Sequence, residues 1–216
     1  MIIGLCGLIG SGKDTIADYL INSHGFGQHS FAASLKDTLA AVFGWDRTML
    51  EGRTDSSRAW REQVDPWWAD RLGIPHLTPR WAMQNLGTEV IREHFHQDIW
   101  TASVENKLRK IKDNVVISDC RFPNEVAAIQ AAGGVVVCVN RGAEPDWIEL
   151  AITNPDMMPQ LYPNVHASEY SWTGTKFDRI IDNNESLDVL HHRVKDLVQD
   201  LRPATEALIV QSQQCS

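Results

Sequence analysis

The sequence predicts an α/β fold built on a central parallel sheet, and two features carry this prediction. Short strand-like runs occur along the chain, and segments in which apolar residues recur at helical spacing separate them. The predicted strands are Ile2–Cys6 and residues 29–31, 115–119, 135–139 and 179–182. Strands that alternate with helices favour a parallel sheet, because each return to a parallel strand needs a crossover connection.

The first strand leads directly into a glycine-rich loop, residues 7–15. A glycine, four further residues and then Gly12-Lys13 form the spacing of a phosphate-binding loop. Glycines let successive backbone N–H groups turn toward an anion, and the following helix N-terminus adds partial positive charge. A glycine-rich turn with a solvated lysine is the alternative. We predict that Lys13 reaches the β- and γ-phosphates of a nucleotide, which the whole loop binds: Gly7, Gly10, Ser11, Gly12, Lys13, Asp14 and Thr15.

The loop departs from the phosphate-loop pattern at one position. Asp14 stands where a serine or threonine would bind Mg²⁺, and the hydroxyl comes one residue later, at Thr15. Asp14 either helps to hold Mg²⁺, directly or through water, or turns away and caps the helix. Asp119 ends a predicted strand, where phosphate-loop enzymes place a magnesium-binding aspartate. The predicted metal set is therefore Asp14, Thr15 and Asp119.

Composition limits the class of protein. A chain of 216 residues with 43% hydrophobic and 22% charged residues is most simply one globular domain. Its net charge of −8 argues against a general binder of nucleic-acid polymers. No apolar run approaches the roughly 18 residues of a membrane span, and residues 1–3 lack a charged leader, so we expect a cytoplasmic protein without a membrane partner. Reduced thiols are expected, because no metal-like spacing links Cys6, Cys120, Cys138 and Cys215.

Residues 45–100 hold six of the eight tryptophans, interleaved with arginines. Aromatic faces stack on bases and arginine pairs with phosphate, so this stretch suits a phosphorylated base; the alternative is that most of the rings fill a core. Arg80, Gln84 and Arg92 recur at about helical spacing after a helix start at Thr78. Lys36, after the second predicted strand, is a further candidate for the acceptor phosphate.

Capping residues predict where the other helices begin and end. Ser34 and Asn124 are predicted N-caps, as is Ser186, whose helix is expected to run to Leu201. Asn183 and its neighbour Asn184 are predicted to form only a turn before that helix.

Residues 142–175 are predicted to form a lid, because they contain four prolines and no clear period. This segment has no lysine or arginine. The cations that stabilise a migrating phosphoryl group are therefore predicted to be Lys13, Arg121 and Arg141, with His166 as the lid's own candidate.

Five groups of residues together resemble the phage-type deoxynucleoside monophosphate kinases of the phosphate-loop kinase superfamily. They are Gly12-Lys13-Asp14-Thr15; Phe31-Ala32 with Leu35-Lys36; Arg80, Gln84, Gly87-Thr88-Glu89, Arg92 and Trp100; Ser118-Asp119 with Arg121-Phe122-Pro123-Asn124-Glu125; and His166 with Ser168-Glu169. The resemblance implies a three-layer fold with a central parallel sheet, an acceptor-binding helical insertion and a lid. It also implies transfer of the γ-phosphoryl of ATP, with Mg²⁺, to a deoxynucleoside 5′-monophosphate, by a phage-encoded enzyme in the cytoplasm of its host.

On this interpretation residues 1–216 form a single domain. Its core is 1–44, 101–141 and 176–201, the insertion is 45–100, the lid is 142–175, and an expendable tail is 202–216. The protein is expected to be a monomer or a homodimer. The predicted substrate-binding residues are Lys36, Arg80, Gln84, Arg92, Trp100, Arg121, Glu125 and His166.

Other classes of protein stay open or are excluded by their motifs. A GTPase switch would need a guanine-reading Asn-Lys-any-Asp motif, which Asn106-Lys107-Leu108-Arg109 does not provide. A kinase of another small phosphorylated acceptor, such as phosphomevalonate, shares the Gly-Lys-Asp ending of the loop. A nucleotide-binding protein without catalysis is the third alternative.

Overall fold

The computed structural model describes the backbone of residues 1–214 and side chains as far as Arg202. The strands are β1 (Ile2–Cys6), β2 (Gly27–His29), β3 (Val115–Ile117), β4 (Val135–Asn140) and β5 (Arg179–Asp182). The helices are α1 (Lys13–His24), α2 (Ala33–Phe43), α3 (Asp55–Arg61), α4 (Pro66–Leu72), α5 (Pro79–Gln84), α6 (Ile91–His94), α7 (Ile99–Leu108), α8 (Pro123–Ala131), α9 (Ile148–Thr153), α10 (Met158–Leu161), α11 (Ala167–Tyr170) and α12 (Leu187–Gln214). Met49–Glu51 and Pro155–Met157 are 3₁₀ turns, and Asn85–Val90 is π-helical.

The five strands form one parallel sheet in the order β2-β3-β1-β4-β5, which confirms the predicted fold class. After β3 the chain passes β1 to form β4 on its other side, so β1 lies where the strand order reverses. Open α/β sheets bind ligands beyond the carboxyl ends of their strands at this position. Here β1 ends at Cys6, directly before the glycine-rich loop.

Helices cover both faces of the sheet. On one face Ile3 and Leu5 of β1 share a buried cluster with Leu20 of α1 and Leu190 of α12. On the other face α8 packs against β1 and β4. A Cβ at Gly4 would lie 2.6 Å from the Cδ1 of Ile129, so a side chain here would force Ile129 of α8 to shift. The sheet and its two helical faces form three layers.

The chain divides into two compact units. The first comprises Met1–His29 with Ile111–Ser216 and holds the sheet, whereas the second is Ser30–Lys110 and contains α2–α7. The predicted insertion 45–100 lies inside the second unit; its bounds, and those of the predicted lid, stay predictions. No helix within residues 1–214 has the length and apolar character that a bilayer span requires.

Aromatic rings fill part of the interior of the second unit. Phe43 stacks on Trp45 with ring centroids 4.2 Å apart, and Trp60 meets Trp45 edge-on at 6.0 Å. The indole N–H of Trp45 donates to Oδ2 of Asp65 at 2.8 Å. Trp45 and Trp60 therefore pack on each other, in agreement with the alternative that the rings fill a core.

Two predicted helix boundaries were wrong. Helix α2 begins at Ala33, so Ser34 lies inside it, where its hydroxyl accepts from Lys107 Nζ at 3.0 Å instead of capping the helix. Helix α12 runs to Gln214 instead of ending near Leu201. An interior proline removes one backbone donor and crowds the preceding turn, which weakens a helix without always ending it. Most of the predicted tail, from residue 203, lies outside the described side chains.

The helix predicted to begin at Thr78 was confirmed, but its register changes part of the way along. Thr78 caps α5 as predicted, its Oγ1 accepting from the N–H of Trp81 at 3.0 Å. The π-helical turn Asn85–Val90 lies between Gln84 and Arg92 and changes the helical register. The regular spacing of an α-helix therefore does not place these two residues on one face.

Candidate active site

The loop after β1 takes a conformation that suits glycine. Gly7, Gly10 and Gly12 have φ angles of 137°, 78° and 101°, in the region that other residues rarely adopt. A Cβ at Gly7 would also lie 2.4 Å from the carbonyl oxygen of Val139 in β4. Both the backbone conformation and the close approach of β4 therefore require this glycine spacing.

The side chain of Lys13 folds back over the loop. Its Nζ donates to the carbonyl oxygens of Gly7 at 2.8 Å and Leu8 at 2.6 Å. Burial lowers the pKa of the Lys13 ammonium, and the nearby Arg121 guanidinium lowers it further. Two cations thus lie within electrostatic range at the carboxyl edge of the sheet, and an anionic phosphate between them would relieve their repulsion.

Arg121 follows β3 and is held through one nitrogen. Its Nη1 donates to Oε1 of Glu169 at 2.7 Å and to the carbonyl oxygen of Ser168 at 3.3 Å. Its Nε and Nη2 have no hydrogen-bond partner among the residues whose side chains are described. An arginine with a free pair of donors can bind two phosphate oxygens at once.

Glu125 fixes the backbone beside Arg121. Its Oε2 accepts from the N–H of Arg121 at 2.7 Å and from that of Phe122 at 3.2 Å, and only 2% of the residue is exposed. Helix α8 begins at Pro123, so the predicted cap Asn124 lies in its first turn and the Glu125 carboxylate binds the orphan N–H groups instead. The predicted contact of Glu125 with substrate stays a prediction.

His166 and Glu169 lie in the predicted lid segment. The imidazole Nδ1 of His166 accepts from the N–H of Ser168 at 3.1 Å and caps the short helix α11. The indole N–H of Trp172 donates to the carbonyl oxygen of Glu169 at 2.8 Å. These contacts hold the Glu169 carboxylate against Arg121. The sequence resemblance included Glu169, but we assigned it no role.

Asn183, which directly follows β5, contacts the phosphate loop. Its Nδ2 donates to the carbonyl oxygen of Ser11 at 2.8 Å, and its backbone N–H donates to that of Asn140 at 2.8 Å. Asn184 then accepts from the N–H of Gly142 at 2.7 Å. Sequence reasoning predicted only a turn here. The position of Asn183 and Asn184 directly after a parallel strand could have indicated this contact, because residues there reach the ligand-binding edge of the sheet.

A cavity of about 460 Å³ lies beside the loop, within the first unit. Its wall combines apolar, aromatic and polar side chains with the guanidinium of Arg141 and the carboxylates of Glu144 and Asp182. Other lining residues are Leu8, Trp172, Phe177, Ile180 and Asn184. A mostly apolar cavity with a few polar groups is the usual form of a small-molecule site. Arg141, predicted to act on phosphate, thus lines the cavity next to the loop.

The predicted metal residues suit Mg²⁺ by their chemistry. Oδ1 of Asp14 accepts from the Ser118 hydroxyl at 3.4 Å, and no side chain caps α1, so the alternative that Asp14 caps this helix has no support. Within the described residues no group of three or more His, Cys, Asp or Glu side chains could hold a metal. Magnesium needs no such cage, since one or two carboxylates, water and substrate phosphates hold it. The set of Asp14, Thr15 and Asp119 stays a prediction.

The remaining predicted substrate residues belong to the second unit, and two cations have partners there. Lys36 Nζ donates to Oε2 of Glu51 at 2.6 Å, and Arg80 forms an ion pair with Glu62. A phosphate would have to compete with these carboxylates.

Arg92 and Trp100 are buried in the second unit. Nη1 of Arg92 donates to the carbonyl oxygen of Gln97 at 3.2 Å, and the indole N–H of Trp100 donates to that of Gly87 at 2.8 Å. Gln84 is half-buried at the end of α5. Their predicted contacts with substrate stay predictions.

A parallel sheet whose central strand leads through a Gly-any₄-Gly-Lys loop into a helix defines a phosphate-loop nucleotide-binding protein. A family model described as deoxynucleotide monophosphate kinase matches residues 75–194. Because this match spans more than half of the chain, the protein belongs to the deoxynucleotide monophosphate kinase family, as its motifs predicted.

Curated relatives are similar to this chain over 58% and 93% of its length. A putative deoxynucleotide monophosphate kinase of Acanthamoeba polyphaga mimivirus is 28% identical over 213 residues, which cover 93% of this chain and 97% of that protein. The deoxynucleoside-5′-monophosphate kinase of Escherichia phage T5 is 24% identical over 174 residues, or 58% of this chain and 70% of that protein.

Two solved structures are similar to this one in fold. Dephospho-CoA kinase from Campylobacter jejuni is 15% identical with a TM-score of 0.46, and the match covers 92% of this chain and 96% of that one. Shikimate kinase from Aquifex aeolicus is 15% identical with a TM-score of 0.40, covering 95% and 98%.

Proposed function

We propose that this protein transfers the γ-phosphoryl group of ATP to a deoxynucleoside 5′-monophosphate and releases ADP and the deoxynucleoside diphosphate. The observation that carries this proposal is a pair of cations at the carboxyl edge of the sheet: Lys13, which begins α1 after the phosphate loop, and Arg121, which follows β3. Membership of the deoxynucleotide monophosphate kinase family supports the acceptor class. Since both curated relatives are viral, we place the reaction in the cytoplasm of an infected cell.

The donor nucleotide binds within the first unit. Its β- and γ-phosphates lie in the loop, where Lys13 exchanges the carbonyl oxygens of Gly7 and Leu8 for phosphate oxygens. Its base enters the adjoining cavity, between the aromatic rings and the guanidinium of Arg141.

Transfer proceeds by in-line displacement. An oxygen of the acceptor 5′-phosphate attacks the γ-phosphorus while the bond to the β–γ bridging oxygen breaks, and ADP keeps that oxygen. The acceptor phosphate is mostly dianionic near pH 7, so no general base is needed. Lys13 and the free donors of Arg121 neutralise charge on the migrating group. Asp14, Thr15 and Asp119 would hold Mg²⁺ or its waters, and the ion would neutralise charge on the donor phosphates.

The test is ADP release from Mg-ATP by the purified protein with a panel of acceptors. Deoxynucleoside and ribonucleoside monophosphates, phosphomevalonate and a no-acceptor control separate the alternatives. We expect turnover with one or more deoxynucleotides, and a loss of at least about 100-fold in Lys13→Ala. The exposed Lys195 of α12 provides the matched control, Lys195→Ala, which should retain activity. Turnover with phosphomevalonate alone, or with no acceptor at all, would overturn the proposal.

A further inference from the structure

We propose that Asn183 is a positioning residue that holds the phosphate loop in its anion-binding shape. This inference deepens the proposed function, because it concerns the site where the donor's phosphates bind. Asn183 lies after β5, while the loop lies after β1, and β4 separates these two strands in the sheet. The residue is 8% exposed, so its carboxamide acts out of contact with bulk water.

The carboxamide of Asn183 contacts the loop directly. Nδ2 donates to the carbonyl oxygen of Ser11 at 2.8 Å. That bond turns the Ser11 carbonyl toward Asn183, in the stretch where the loop must present N–H groups to an anion. A Cβ at Gly12 would lie 2.3 Å from the same Nδ2, so glycine at this position makes room for the contact.

Asn183 is itself held by the sheet. Its backbone N–H donates to the carbonyl oxygen of Asn140 at 2.8 Å, at the end of β4 and directly before Arg141. A single residue therefore ties the loop that carries Lys13 to the strand end that carries Arg141. Its replacement should disturb donor phosphates and leave contacts made only by the acceptor unchanged.

Two substitutions of Asn183 separate a positioning role from a general loss of folding. Asn183→Ala removes the donor, and Asn183→Asp replaces it with a carboxylate that repels the Ser11 carbonyl. Protonation at low pH gives that aspartic acid an O–H donor, which can restore the bond. We therefore expect the defect of Asn183→Asp to shrink as the pH falls, and that of Asn183→Ala to be independent of pH.

The experiment measures binding of inorganic pyrophosphate by titration calorimetry, which needs no turnover, together with the KM for ATP and for the acceptor. Circular dichroism checks that each variant is folded. Asn183→Ala should weaken pyrophosphate binding and raise the KM for ATP about tenfold, the effect of one lost hydrogen bond, with the acceptor KM unchanged. The exposed Asn164, whose side chain has no hydrogen bond among the described residues, supplies the controls Asn164→Ala and Asn164→Asp.

A folded Asn183→Ala variant with wild-type pyrophosphate affinity would overturn the inference. If Asn183→Ala does not fold, Asn183→Asp decides, since pyrophosphate binding that fails to recover at low pH also contradicts the role. Absence of acceptor-dependent turnover in the wild type would refute the proposed function alone, because the pyrophosphate titration would still test Asn183.

Discussion

The Glu169 carboxylate accepts a hydrogen bond from Nη1 of Arg121 at 2.7 Å, although the two residues are 48 positions apart. The pair joins helix α11 to the end of β3. The Glu169 side chain is 17% exposed, so solvent screens this ion pair only in part. A carboxylate here orients the guanidinium while leaving its Nε and Nη2 free for phosphate.

Removal of Glu169 should slow phosphoryl transfer by releasing Arg121. We expect Glu169→Ala to lower kcat about tenfold or more, because a misplaced phosphate-binding group costs rate, and Glu169→Gln to retain more activity because its amide oxygen still accepts. Steady-state kinetics measure both. Glu149→Ala is the matched control, since it removes an exposed carboxylate from α9 of the same segment. Equal losses in Glu169→Ala and Glu149→Ala would point to net charge instead of this contact.

Glu125→Ala should destabilise the fold as well as reduce activity. It leaves the N–H groups of Arg121 and Phe122 without their acceptor at a buried position, which costs about 1–3 kcal/mol per unsatisfied group. Urea denaturation measures the change in the free energy of unfolding. Glu105→Ala, at an exposed position of α7, is expected to change it by less than about 0.5 kcal/mol. A fully stable Glu125→Ala protein would contradict the capping role.

Trp100→Phe should destabilise the π-helical turn. Phenylalanine retains most of the buried ring but lacks the N–H that donates to the Gly87 carbonyl, so we expect a loss of about 1–2 kcal/mol in unfolding free energy. Trp67→Phe is the control, since that ring is 61% exposed and lies on α4. Equal stabilities of the two variants would show that the indole bond contributes nothing.

Alkaline pH should weaken the fold through its buried thiols. Burial raises the pKa of Cys6 to about 12 and that of Cys138 to about 11, and it also raises the pKa of Cys120. Unfolded thiols ionise near their ordinary pKa of 9.0, so the unfolded chain binds fewer protons above that pH. The stability that these thiols contribute is complete below about pH 9 and is lost as the pH rises through about 11 to 12.

Urea denaturation across this range, compared with a Cys6→Ala variant, measures the effect. The variant should show a shallower fall in unfolding free energy with pH. Parallel curves for the two proteins would mean that Cys6 does not contribute. All three described cysteines are buried and unpaired, as the sequence predicted, and Cys215 lies outside the described residues.

The sequence predicted the features that local chemistry determines. The loop from Gly7 to Lys13 was recognisable because glycine spacing and its place after a strand are properties of adjacent residues. The caps at Thr78 and Ser186 were found for the same reason. The strands β1, β3 and β4 followed from apolar runs, since buried parallel strands need them. Strand β2 (Gly27–His29) lies two residues before its predicted place at 29–31, because it has no apolar run to mark it.

The contacts that complete the site could not be predicted in this way. Asn183 and Glu169 act on residues far away along the chain, and nothing in their neighbours specifies the partner. The contact of the π-helical turn with Trp100 was missed for the same reason, since the indole donates to a carbonyl 13 residues earlier. Tertiary contacts of this kind override local spacing.

The link between Ser11 and Asn183 has a consequence for synthesis of the protein. The two residues are 172 positions apart, so a ribosome makes the loop well before it makes Asn183. Strands β3 and β4, which flank β1, also emerge after it. Nascent chains that stop before Asn183 carry the full loop sequence without its support. Retention on an immobilised nucleotide should therefore separate chains that include Asn183 from chains that stop before it.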